Sequence, residues 1–149
     1  MNLTPHLLTL EVDNEFGVLT RITAVIRREG FNISGLSVAE LPGGLTARVT
    51  LSLLCALSSA AAVIDRLKRL NCVHSIASCT RETHAIAELA LFRWDDDKMA
   101  KEEGCFLIAP GVYGFCGTKE EIDGLIERLS PKEVSRSGEI ALRKKGDAE

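Results

Sequence analysis

Hydrophobic residues along the first half of the chain follow strand and helix periods in turn. The apolar run from Leu7 to Val12 predicts a strand. The next apolar residues recur at helical spacing and precede Gly30, a typical helix terminator: Val18, Leu19, Ile22, Val25 and Ile26. The pattern therefore predicts a strand followed by one amphipathic helix, which is the best-defined element of the chain.

A hairpin is predicted next. Asn32 to Glu40 and Leu45 to Leu54 indicate two strands, and Pro42-Gly43-Gly44 between them is typical of a tight turn. In the later strand, polar residues alternate with apolar ones: Thr46, Arg48, Thr50 and Ser52. One face of that strand is therefore expected to be exposed to solvent.

A second helix and a final strand complete this half. Ser58 is predicted to cap a helix with apolar residues at Ala60, Val63, Ile64 and Leu67, and Cys72 to Cys79 predicts a strand. The resulting order is βαββαβ, the ferredoxin-like plan. The fold class is therefore α+β.

The second half repeats the pattern in abbreviated form. Ala85 to Trp94 and Cys105 to Cys116, with a break at Pro110-Gly111, indicate strands. Thr118 and Glu121 form a capping-box motif that opens a helix ending at Leu129, and Glu133 to Arg143 predicts the last strand. Two ferredoxin-like units are expected, in domains spanning residues 1–81 and 82–149.

Two segments of the second half depart from this plan. Asp95 to Glu103 stands where the first helix of the unit is expected, but it is too short and too polar to cover a sheet face. The charged tail from Lys144 to Glu149 is expected to fray. The second unit is therefore expected to need a partner surface. Open sheet edges in both units also favour oligomers.

Composition narrows the functional classes. Eighteen basic and twenty-one acidic residues give a net charge of −3, which does not favour nucleic acid as a partner. No apolar run reaches the roughly 20 residues needed to cross a bilayer, and no signal peptide is recognisable, so a cytoplasmic protein with no membrane partner is expected.

Cysteine and histidine positions do not indicate a metal site or catalysis. The five cysteines are widely spaced and fit free, mostly buried thiols. Cys72 and His74 share a strand face, but Cys79 lies on the other, so these three residues do not converge on a metal ion. No nucleophile motif or phosphate-binding loop accompanies the three histidines, and the chain is predicted not to be an enzyme.

The loop between the first strand and the first helix carries the candidate chemistry. Backbone N–H groups at a helix start are unpaired and lie at the positive end of the helix dipole. Gly17 stands where the helix begins and leaves an approach open for a small anion. This geometry suits the carboxylate of an amino acid.

Three segments resemble the small regulatory subunit of acetolactate synthase (acetohydroxyacid synthase), with residues 1–81 as an ACT domain. They are Asp13-Asn14-Glu15-Phe16-Gly17-Val18-Leu19-Thr20-Arg21, Gly30-Phe31-Asn32-Ile33-Ser34-Gly35-Leu36 and Val134-Ser135-Arg136-Ser137-Gly138-Glu139-Ile140-Ala141-Leu142. The first two segments alone indicate a generic amino-acid-binding ACT domain. The Arg-Ser-Gly segment near the C-terminus narrows the resemblance to the synthase subunit.

The resemblance implies an effector site. ACT units of this family pair side by side and bind a branched-chain amino acid, typically valine, across the interface. The residues of this chain that match the ligand-binding motif are Asn14, Gly17, Val18, Asn32 and Ile33, with Asn32 contributed by the neighbouring protomer. The Asn amides are suited either to accept from the ammonium or to donate to the carboxylate.

The resemblance also implies a partner. That partner is the large catalytic subunit, which holds thiamine diphosphate, FAD and Mg²⁺, whereas this chain is expected to hold no cofactor. It would activate the catalytic subunit and relay feedback inhibition.

Alternative interpretations stay open. One is a stand-alone ACT-type sensor of another enzyme or of a transcription factor. Another is an assembly module that has lost ligand sensing, since Phe16 stands where many family members have Ser and is expected to narrow the pocket or shift its preference. Asn32 could also serve as a strand-entry residue that bonds its own backbone.

Overall fold

The computed structural model describes residues 4–94 and 104–144. They belong to two compact units, one within residues 1–85 together with 141–149 and the other within residues 86–140. The predicted segment 95–103 and the charged tail from residue 145 lie outside the described residues. The proposed domain boundary after residue 81 stays a prediction. None of the helices within residues 4–94 and 104–144 is long and apolar enough to cross a membrane.

The first unit has the predicted βαββαβ order. Its elements are β1 (Thr4–Asp13), α1 (Val18–Arg28), β2 (Ile33–Glu40), β3 (Thr46–Cys55), α2 (Leu57–Leu67) and β4 (Val73–Cys79). The strands form an antiparallel sheet in the order β2-β3-β1-β4. Alternate residues of β1 and β3, such as Leu10 and Val49, pack with Ile22 of α1 and Val63 of α2 in one hydrophobic core. Both helices therefore cover the same face of the sheet.

The prediction that one face of β3 is exposed is wrong for two residues. Thr50 is 3% exposed and Ser52 is 8% exposed, whereas Thr46 and Arg48 are partly exposed as expected. β3 is an interior strand of the sheet, and Thr50 lies between Ser37 of β2 and Thr9 of β1. The alternation of polar and apolar residues therefore showed which side chains share the polar face of β3, but it did not show whether that face is exposed.

The predicted cap of α2 is also wrong. The helix begins at Leu57 with Ala56 at the N-cap, so Ser58 lies in the first turn and not before it. The backbone carbonyl of Ala56 accepts from the amides of Ser59 and Ala60 at 3.0 and 3.1 Å. A favourable cap residue contributes only about 1 kcal/mol, and the packing of Ala60 and Val63 into the core outweighs it.

The second sheet is antiparallel and carries one described helix. Its elements are β5 (His84–Arg93), β6 (Cys105–Ala109), β7 (Val112–Gly117), α3 (Lys119–Leu129), β8 (Glu133–Arg136) and β9 (Ile140–Arg143). The strand order is β6-β7-β5-β8, and β9 also pairs with β5. The Thr118–Glu121 capping box is confirmed, with both reciprocal hydrogen bonds present. Ile122 and Leu125 of α3 pack on Phe92. The α+β fold class is confirmed.

The last predicted strand is divided in two. Residues 137–139 interrupt it, and Gly138 has a φ of +75°, a left-handed conformation that a continuous strand does not contain. The Ser137 amide donates to the Leu89 carbonyl, and the Leu89 amide donates to Ser137 Oγ at 3.0 Å. These two hydrogen bonds therefore hold the chain in place at the break.

An ionic network lies beside this break. The Arg136 guanidinium donates to both carboxylate oxygens of Glu88, with Nε to Oε1 at 2.8 Å and Nη2 to Oε2 at 2.5 Å. It also donates to Asp123 Oδ1 at 2.6 Å. The Glu88 side chain is only 4% exposed, and Arg136 is the cationic partner that a buried carboxylate requires. Hydrogen bonds to Glu88 raise the pKa of Arg136.

Candidate amino-acid-binding site

The loop between β1 and α1 ends at a helix start that no side chain caps. Gly17 is the N-cap residue of α1, with φ +81° and ψ −2°, and the first turn contains no acidic residue. A Cβ atom added at Gly17 would meet nothing within 4 Å. The Val18 amide donates to the Glu15 carbonyl at 3.4 Å. The start of α1 is otherwise open at Gly17 and lies at the positive end of the helix dipole, which is suited to a carboxylate.

The side chain of Asn14 is held against the β2–β3 hairpin. Its amide nitrogen donates to Glu40 Oε2 and to the Gly44 carbonyl, both at 2.9 Å. The Asn14 backbone amide donates to the Leu45 carbonyl at 3.0 Å. Asn14 is therefore fixed in orientation a few residues from the open helix start.

The other end of the loop is attached to β4. Asp13 Oδ1 lies 2.7 Å from His74 Nε2, and the Asp13 amide donates to the Cys72 carbonyl at 2.9 Å. Sequence analysis considered His74 only as a metal ligand. Its role in the structure is to support the residue that precedes the loop.

Phe16 stands at the tip of the loop with its side chain fully exposed. Asn14, Glu15 and Phe16 line an open depression of about 580 Å³. Phe16 directly precedes Gly17, the N-cap residue of α1. It is thus placed to contact a ligand or a second protein surface.

The remaining predicted residues lie elsewhere in this unit. Asn32 and Ile33 line a separate depression of about 420 Å³ along α1, together with Phe31. The Val18 side chain is buried in the core, so only the backbone atoms of this residue are available at the loop. One chain therefore places Asn14 and Asn32 in different depressions.

Sequence analysis missed Glu40 and Gly44. No local sequence signal marks this contact, because it follows from the strand register, in which Asp13 pairs with Thr46 and the residues beyond this pair approach each other. The pattern of apolar residues predicted both strands but not this pairing. The hairpin was therefore predicted, and its contact with the β1–α1 loop was not.

The ferredoxin-like order and the open helix start after β1 define the class of the first unit as an ACT domain. Residues 8–75 match the family model described as AHAS small subunit-like ACT domain.

The relatives extend the match beyond this domain. The chain is 30% identical to the acetolactate synthase small subunit of Aquifex aeolicus, over 93% of this chain and 81% of that protein. It is 26% identical to the acetolactate synthase small subunit of Mycolicibacterium smegmatis, over 95% of this chain and 92% of that protein. The chain belongs to the acetolactate synthase small-subunit family, and the resemblance stated from its motifs is confirmed.

A solved structure shows the same fold. The crystal structure of the acetolactate synthase small subunit from Thermotoga maritima superposes with a TM-score of 0.83, at 21% identity. The superposition covers 96% of this chain and 99% of the other. The fold is therefore shared over 96% of this chain. The assignment of Asn14, Gly17, Val18, Asn32 and Ile33 to a ligand stays a prediction.

Proposed function

We propose that this chain is a regulatory, non-catalytic subunit of an acetolactate synthase. It activates the large catalytic subunit and relays feedback inhibition by valine or a related branched-chain amino acid. Thiamine diphosphate, FAD and Mg²⁺ belong to the catalytic subunit under this proposal. The observation that carries the proposal is the uncapped helix start at Gly17 beside the fixed amide of Asn14, in a chain that matches small subunits along most of its length.

The effector site is completed by a second copy of the chain. Asn14 and Asn32 line different depressions of one protomer, which fits a site shared between two protomers. β2 is an edge strand of the first sheet and exposes Leu36 and Val38. Pairing of two such edges would cover these side chains and satisfy the open backbone groups. Ligand binding would then bias the arrangement of the subunits, with a coupling of about 1–3 kcal/mol.

An assembly module without ligand sensing is the second candidate function, and the exposed ring of Phe16 favours it. A large apolar side chain at the tip of the loop could occupy the space that an effector would fill. Such a chain would activate the synthase, and valine would not reverse the activation.

The first test is calorimetric titration of the purified chain with valine, leucine and isoleucine, with serine as the ligand control. We expect saturable binding of one branched-chain amino acid, and a loss of affinity of about tenfold or more in Asn14→Ala. Asn71→Ala, at an exposed turn position, is the matched control and should bind normally.

A parallel assay measures acetolactate formation by the catalytic subunit with and without this chain. Stimulation that valine reverses supports the proposal. Binding with no effect on acetolactate formation would instead indicate a sensor of another enzyme, and stimulation that valine leaves unchanged would indicate the assembly module.

A further inference from the structure

We infer that Glu40 sets the polarity of the effector site and so selects a ligand with an α-ammonium group. Glu40 is a positioning residue under this proposal. It holds the Asn14 amide so that only its oxygen faces the ligand, and it adds negative charge at that end. The inference rests on the proposed amino-acid site and specifies how that site tells an amino acid from the matching 2-keto acid or simple carboxylate.

The orientation of Asn14 follows from its two acceptors. A primary amide nitrogen carries two hydrogens, and those of Asn14 are taken by Glu40 Oε2 and the Gly44 carbonyl. Rotation of the amide by 180° would place its oxygen against a carboxylate and a carbonyl, which is repulsive. Asn14 Oδ1 is therefore left to accept, and the earlier alternative of donation to the ligand carboxylate is disfavoured.

The two ends of the loop then differ in electrostatic character, positive at Gly17 and negative at Asn14. The start of α1 at Gly17 presents backbone N–H groups, and no acidic side chain lies in the first turn. Three residues earlier, Asn14 Oδ1 and the Glu40 carboxylate supply acceptors and negative charge. A zwitterionic amino acid matches both poles, with its carboxylate at Gly17 and its ammonium at Asn14.

A ligand without the ammonium matches only one pole. A 2-keto acid or a carboxylic acid with the same side chain would place no donor opposite Asn14 Oδ1, beside an uncompensated carboxylate. Sites built to hydrogen-bond an N–H group reject analogues that lack it, because the polar groups of the site are then left unpaired. The charge of Glu40 strengthens this rejection.

The alternative is that Glu40 only fastens the hairpin to the loop. In that case its removal would weaken every ligand equally. The two roles are separated by measuring valine against 3-methyl-2-oxobutanoate and 3-methylbutanoate, which keep the carboxylate and the branched side chain but lack the ammonium.

The experiment titrates the full chain, as wild type, Glu40→Ala and Glu40→Gln, with these three ligands. We expect Glu40→Ala to weaken valine binding about fivefold, whereas the two analogues, which no longer meet the carboxylate, should bind more tightly than to the wild type. Glu40→Gln keeps an acceptor for Asn14 but loses the charge, so valine affinity should recover only in part. Glu127→Ala removes an exposed carboxylate from α3, outside the candidate site, and is the control for loss of charge.

Each other outcome has a defined meaning. Equal weakening of all three ligands in Glu40→Ala, or unchanged valine binding, overturns the inference and leaves the proposed function standing. An equal effect of Glu127→Ala on the preference for valine also overturns it. If the folded wild type binds no amino acid, the proposed function fails and the inference fails with it. Circular dichroism of each variant verifies the fold.

Discussion

Thr9 is a partly buried polar residue of β1. Its Oγ1 atom is buried and has no hydrogen-bond partner among the described residues. On either side it pairs with Thr50 of β3 and Ala77 of β4. A buried hydroxyl without a partner costs free energy, because it has lost its water and gained nothing in exchange.

Thr9→Val is therefore expected to stabilise the chain. Valine has the same shape without the hydroxyl, and the free energy of unfolding should rise by about 1 kcal/mol. Urea denaturation measures this change. The control is Thr118→Val, which should lower the free energy of unfolding by about 1 kcal/mol because the Thr118 side chain caps α3. Destabilisation by Thr9→Val would mean that the Thr9 hydroxyl does have a partner.

Sequence patterns identified some residues of the candidate site and missed others for a physical reason. Asn14 and Gly17 lie in a loop at a helix start, which the order of polar and apolar residues locates directly. Glu40 reaches Asn14 across 26 positions of sequence through the register of β1 with β3. Such a contact depends on strand pairing, and a single sequence does not encode it locally.

At the scale of elements, β5 and β8 are joined by a charge pair as well as by backbone hydrogen bonds. Arg136 on β8 binds Glu88 on β5 and Asp123 on α3, so one guanidinium connects three elements. Removal of the arginine would leave the Glu88 carboxylate buried without its partner, and this is costly in a medium of low dielectric constant.

Arg136→Met is expected to lower the free energy of unfolding by about 3 kcal/mol. The matched control is Arg93→Met, which breaks the pair between Arg93 and Glu133 at 3.1 Å, with both side chains more than 60% exposed. That pair is screened by water, and its loss should change stability by less than about 1 kcal/mol. Both variants are measured by chemical denaturation, and equal effects would contradict the argument.

Elements with a local signal were predicted closely, and those set by packing were not. The capping box of α3 specifies its own start, since Thr118 and Glu121 satisfy each other's backbone groups. The start of α2 has no such pair, and packing placed it at Leu57. The division between β8 and β9 depends on Gly138, which is compatible in sequence with either a bulge or a break.

At the scale of the whole molecule, the five cysteines divide by accessibility. Cys55, Cys72 and Cys79 are buried, Cys105 is intermediate and Cys116 is exposed. Burial raises the pKa of Cys79 to about 11 and also raises the pKa of Cys55. The thiolate is the reactive form, so a raised pKa lowers reactivity at any pH below it.

Alkylation with iodoacetamide at pH 8 should therefore modify Cys116 first. Cys79 should react slowly in the native chain, and its rate should increase as the pH rises towards 11, because the thiolate fraction grows. Mass spectrometry of proteolytic fragments locates the modified residues. Unfolding in urea should expose all five thiols, and rapid native labelling of Cys79 would contradict the burial described for β4.

The residues that dominate the intrinsic fluorescence lie in only one of the two units. Its single tryptophan, Trp94, and its single tyrosine, Tyr113, both lie within residues 86–140 and contribute to the same core. Intrinsic fluorescence therefore reports the second unit, whereas far-ultraviolet circular dichroism records the helices of both. Coincident transitions by these two probes would mark one cooperative unfolding unit, and separate transitions would resolve the stability of each half without any label or mutation.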